Sequence, residues 1–160
     1  MRIRLWSILA LTLAALSLGP SFAHVLEAPP RIRDWPPQLW IDATVLHGQF
    51  ALYRLVGGPI DVAVVVATIA LAAAARRTPA FRGVAAAAIL FALALIAWFG
   101  LVAPVNTILA TWADGSAPEN FVEVRNRWET GHMAVAALKF AGFIALAAAV
   151  SFRPAPDGGG

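Results

Sequence analysis

The chain has no cysteine, and only 13% of its 160 residues are charged. The first absence excludes disulfides, thiolate nucleophiles, cysteine-ligated zinc and iron–sulfur clusters. The second excludes an ordinary soluble surface, for which about 25% charge is usual. Internal repeats are missing, as is the pair of interrupted apolar segments that builds many transporter sites. What abounds is apolar: 60% of residues are hydrophobic and the mean hydropathy is +0.74. Such a composition describes an integral membrane protein, with the lipid bilayer as its main partner.

The apolar material falls into four runs, 3–23, 55–75, 83–105 and 133–152, each near the about 20 residues that a helix needs to cross the hydrocarbon core. The expected fold is all-α: a membrane four-helix bundle forming one domain over 1–153, followed by a disordered tail at 154–160. Long connections, 24–54 and 106–132, join the first run to the second and the third to the fourth. Arg2, Arg4, Arg76, Arg77, Arg82 and Arg153 fall together on one side, accompanied only by Asp157. The two long connections hold seven of the nine carboxylates and five arginines. By the positive-inside rule both termini are cytoplasmic, in a multi-pass cell-membrane protein with an extracytoplasmic cap. The sequence pI of about 10.6 reflects cations beside the spans, so nucleic acid is not an expected partner.

The first run has a second reading. A basic start, an apolar stretch from Leu5 to Leu18, Gly19-Pro20 and the small residues Ser21 and Ala23 also describe a cleavable signal peptide. Cleavage after Ala23 would leave His24 as a new N-terminus able to chelate copper through its amine and imidazole. The run is equally long enough to span, and spanning is the expectation carried forward.

In the first connection, Ala28-Pro29-Pro30 should break any helix leaving the first run, and Trp35-Pro36-Pro37 punctuates again. A short interfacial helix is expected between Gln38 and Leu55, with Gly57-Gly58-Pro59 as the hinge into the second span. Asp114 to Pro118 reads as a turn, after which Glu119 to His132 should run as helix into the fourth span. Trp35, Trp40, Trp112 and Trp128 lie in these connections, as in an aromatic belt.

Two short patterns mirror each other. His24 to Glu27 follows the first run and Glu129 to His132 precedes the last, each placing an imidazole and a carboxylate three residues apart on one helix face. Asp61 near the start of the second span and Asn106 after the third add polar groups at the same outer level. Buried ionisable groups in membranes are costly and tend to be functional, although a bonded polar cap accounts for each singly. Lys139 lies seven residues after His132, on the same face and about 10 Å deeper. Its expected partner is Asp61 or a bound anionic or phenolic ligand.

Pro104-Val105-Asn106, Trp112, Arg127-Trp128-Glu129 and His132 together resemble the signature of the anthrone oxygenase-like family of small four-helix membrane proteins, a domain of unknown function in most bacterial members. The front half agrees: His24 to Glu27 with Pro29, then Leu52-Tyr53-Arg54 with Gly57 to Pro59, is similar to the family's pattern. One departure is Val135, where the family often has a basic residue. The resemblance implies an oxygenase needing no organic cofactor, its fungal relatives being associated with oxidation of anthrones to anthraquinones by dioxygen. On that reading His132 or His24 is the base and Glu129 and Glu27 orient the imidazoles. Asn106, Asp61, Arg127, Trp128, Trp112, Lys139 and Tyr53 would surround a phenolic or other apolar substrate.

Two alternatives stand beside it. His24, Glu27, Glu129 and His132 could hold an iron, zinc or copper ion in a membrane oxidoreductase, since bundles present paired Glu and His in this way. The chain could also be a non-catalytic accessory protein whose cap binds a partner, with His and Glu tying helices together. Homo-oligomer formation is compatible with all three.

Overall fold

Alanine- and leucine-rich stretches favour helix, and in a bilayer the backbone must bond within its own segment. The computed structural model describes residues 2–47, 53–112 and 117–151, and within them it is helical throughout its long elements. Helix α1 is Arg2–Arg33, α2 is the short Pro37–Ile41, α3 is Gly58–Ala75 and α4 is Phe81–Ala97. A π-helical turn, Trp98–Val102, carries α4 into α5, Ala103–Leu109, and α6 is Phe121–Ser151. Further π turns, Asp42–Leu46 and Tyr53–Gly57, follow α2 and precede α3. Four of these stretches, Ile3–Arg33, Leu55–Ala75, Phe81–Leu109 and Phe121–Ser151, are long and apolar enough to cross a membrane. Large apolar side chains such as Leu26, Leu55, Ile96 and Phe99 point outward, as contact with lipid requires.

The long helices form a ring: α1 packs on α3 and α6, and α4 packs on the same two. Two apolar clusters fill it. One, at the end carrying the long connections, holds Trp40, Ile41, Val105, Phe121 and Trp128. The other, toward the short α3–α4 turn, holds Ala10, Ala14, Val64, Leu71, Phe91 and Leu146. Close approach of α4 and α6 rests on glycine. A Cβ built on Gly83 would lie 2.7 Å from the Cβ of Ala149, which has no freedom to move aside. Gly83→Val is therefore expected to destabilise the bundle by roughly 1 to 3 kcal/mol, as overpacking does. Thermal unfolding in detergent should show the lower midpoint.

The prolines do not end the first helix. α1 runs 32 residues with Pro20, Pro29 and Pro30 inside it, and closes with Asp34 N–H donating to Pro30 O at 2.8 Å. An internal proline costs about 3 kcal/mol in an ordinary helix, so packing must outweigh it. Its buried positions show how: Ala10, Ser17, His24 and Arg31 recur every seven residues, Ala14 and Ala28 fall between, and all three prolines are exposed. The inward face thus continues past the prolines and docks Ala28 and Arg31.

Other boundaries shift as well. The third span continues to Leu109, because Pro104 stands in the first turn of α5, where a missing N–H is harmless. Asn106 therefore sits within a helix instead of after one. The helix expected before the fourth span is present from Phe121 and is continuous with it. The single interfacial helix expected between Gln38 and Leu55 is replaced by α2 and two π turns, residues 48–52 between them lying outside the described residues. Nor do the tryptophans form a belt: Trp40, Trp112 and Trp128 are buried core residues, packed with Ile41, Val105, Leu109 and Phe121 at this end of the bundle. Residues 114–116 of the turn expected at Asp114 to Pro118, and the tail at 154–160, also lie outside the described residues.

Candidate functional site

Glu129 is the centre of the arrangement. Its side chain is wholly buried between α1, α2 and α6, where an unpaired carboxylate would cost several kcal/mol. Two hydrogen bonds and an ion pair compensate it. Trp40 Nε1–H donates to Oε1 at 2.8 Å, Arg31 Nε lies 3.4 Å from Oε1, and His24 Nε2 lies 2.9 Å from Oε2. With an indole N–H and a guanidinium on the other oxygen, Glu129 is placed as an acceptor and His24 Nε2 as its donor.

Arg31 is in turn fixed on several sides. Its Nη2 donates to Thr44 Oγ1 at 2.8 Å, and its Cζ lies 5.4 Å from the ring centres of Trp35 and Trp128 and 5.9 Å from that of Trp40. Such a cage holds a guanidinium firmly.

The imidazoles meet. His24 and His132 have ring centres 4.5 Å apart, and Trp128 packs edge-on against both, at 4.8 and 4.4 Å. Trp128 is itself oriented by donating its Nε1–H to Asn106 Oδ1 at 2.8 Å. His24 and Glu129 are buried, whereas His132 is half-buried. His132 is therefore the member of the cluster with an accessible edge.

Other predicted residues lie elsewhere. Glu27 is more than half exposed and, among the described residues, makes a long contact of 3.7 Å with Arg31 one turn on. It does not join His24, because the inward face of α1 follows the seven-residue series to Arg31 and leaves position 27 at its edge. Asp61 is not at the level of the histidines either. Both its carboxylate oxygens accept from Lys139 Nζ at 2.8 Å, and Ser17 Oγ donates to it at 2.6 Å. Lys139 also donates to Ser21 Oγ at 3.1 Å. This ion pair joins α1, α3 and α6 two turns below His132, so of the two partners expected for Lys139 the protein supplies Asp61.

Arg127 is exposed, 3.9 Å from Glu123, on a different face of α6 from Glu129. Tyr53 is exposed, and Trp112 packs on Phe121 in the apolar cluster with ring centres 6.1 Å apart. Among the described residues no group of three or more His, Asp or Glu side chains is arranged to hold a metal ion. No side chain of the cluster lines the cavities of about 200 and 370 Å³, one by Leu101, Arg127 and Gly131 and the other by Gly83 and Ala149.

The roles of Arg31, Trp40 and Thr44 beside Glu129, and of Ser17 and Ser21 beside Lys139, were not read from the sequence. One signal was available: Ser17, His24 and Arg31 repeat the same seven-residue interval that links His132 to Lys139. Reading Pro29-Pro30 as a helix end concealed it. Comparison with family models, curated proteins and solved structures finds no match to the chain.

Proposed function

We propose that the chain is a membrane acid–base enzyme whose His24, Glu129 and His132 act on a small phenolic substrate, in the manner that the resemblance to anthrone oxygenases implies. The observation that carries this reading is the 2.9 Å contact of His24 with a buried carboxylate that also accepts from Trp40 and pairs with Arg31, beside a second imidazole 4.5 Å away. Glu129 orients His24, His24 packs against the ring of His132, and His132 takes the proton.

Anthrone-type substrates illustrate the chemistry. Removing a proton from the activated CH₂ gives a delocalised anion; a C–O bond then forms with dioxygen, and the resulting hydroperoxide loses water to leave a carbonyl. The proton taken by the imidazole returns in that water, so substrate plus dioxygen gives quinone plus water. General-base assistance of this kind contributes about 10² to 10⁴ in rate. The outer end of the bundle, facing away from the cytoplasm, would be the side of entry.

A second reading has one observation in its favour. The cluster bonds mainly to itself and none of its side chains lines either cavity, which suits an accessory membrane protein whose cap binds a partner. Binding of a planar phenol, with dioxygen uptake, separates the two readings. Wild type should bind and consume, and His132→Ala should lose both while unfolding at the same temperature. A partner protein that copurifies equally with wild type and His132→Ala, with no phenol bound by either, favours the accessory role.

A further inference from the structure

Among the described residues, the charged side chains at the other end of the bundle are all arginines. Arg76 and Arg77 follow α3 and Arg82 lies in the first turn of α4, joined there by Arg4 of α1. All four are exposed, and none of the ion pairs among the described residues involves them. Every described carboxylate lies in the middle of the bundle or at its other end.

Beside this cluster lies the larger cavity, an open groove of about 370 Å³ between the α3–α4 turn and α6. Pro79, Ala80, Gly83, Ala145, Ala148 and Ala149 line it, so its walls carry no polar side chain. An apolar channel ending at a group of arginines has the shape and charge of a phospholipid turned inside out.

We propose that this groove binds an anionic phospholipid, one acyl chain lying along Gly83 and Ala145 to Ala149 and the phosphate held by Arg76, Arg77 and Arg82. Guanidinium groups match phosphate oxygens in pairs, which a zwitterionic lipid's own ammonium group would oppose. A second copy of this chain is a poor occupant, because in the same bilayer orientation it brings its own arginines to the same level. Free phosphate would satisfy the arginines but leave the groove unfilled.

The test is native mass spectrometry of the full chain, released from nanodiscs of mixed phosphatidylglycerol and phosphatidylcholine. Phosphatidylglycerol should be retained at least about tenfold over phosphatidylcholine, given the attraction each arginine adds. The triple variant Arg76→Gln, Arg77→Gln, Arg82→Gln should lose that preference. Ala148→Phe, an exposed site where a ring fills the groove without entering the core, should weaken retention with helix content unchanged. Equal retention of both lipids by wild type overturns the proposal, and so does unchanged retention by Ala148→Phe. Full displacement of the lipid by inorganic phosphate shows that the arginines act alone and overturns the groove.

Discussion

Arg31→Met is expected to lower stability by about 3 to 5 kcal/mol, the loss that follows when one partner is taken from a buried ion pair. Against a total of roughly 5 to 15 kcal/mol for a folded domain, that is enough to make the purified protein fragile. The reason lies in Glu129, which is wholly buried and would keep only Trp40 and His24 as donors. The cage of Trp35, Trp40 and Trp128 around the guanidinium would also lose its occupant. Arg31→Met with Glu129→Gln should recover much of the loss, since an amide can accept from Trp40 and, with the imidazole proton on Nδ1, donate to Nε2 of His24 without a charge. Thermal unfolding of wild type, both single variants and the double variant gives the coupling. If Arg31→Met unfolds within a degree of wild type, Arg31 does not stabilise the carboxylate.

Lys139→Met carries the other large effect, again about 3 to 5 kcal/mol, because it strands Asp61 among apolar helices with only Ser17 as a donor. The double variant Lys139→Met, Asp61→Leu is the informative partner. Replacing a whole buried pair by apolar residues of similar size is often neutral or stabilising, so the double variant should unfold near the wild-type temperature or above it. It should also keep the cluster above intact, since Lys139 and Asp61 bond Ser17 and Ser21 and not the histidines. A double variant as unstable as the single one would mean that the pair does more than neutralise itself.

The contrast between these two sites shows what could be read along the chain and what could not. Four apolar runs and scarce charge were enough for the bundle, because in lipid few other architectures satisfy the backbone. The seven-residue interval from His132 to Lys139 correctly put both on the inward side of α6, and Asp61 was a legible partner for Lys139. The choice of Glu129 over Glu27 as the partner of His24 was not legible. Local spacing says which residues share a face, but the neighbour across an interface is set by how α1 and α6 are staggered. Pro29 and Pro30 misled for a related reason: their helix-breaking tendency is local, whereas the docking of Arg31 that overrides it comes from α2 and α6. Trp40 was hidden too, as only the fold carries it from the first connection to Glu129.

Dioxygen uptake by the purified protein in nanodiscs, supplied with an anthrone-type phenol, tests the acid–base reading most directly. Wild type should consume dioxygen and release the quinone in equal amounts. His132→Ala should fall by about 10² or more, in line with loss of a general base, while keeping its unfolding temperature. Uptake by His132→Ala equal to that of wild type, or no binding and no uptake by wild type with any phenol tried, would contradict the proposed role of the His24, Glu129 and His132 cluster.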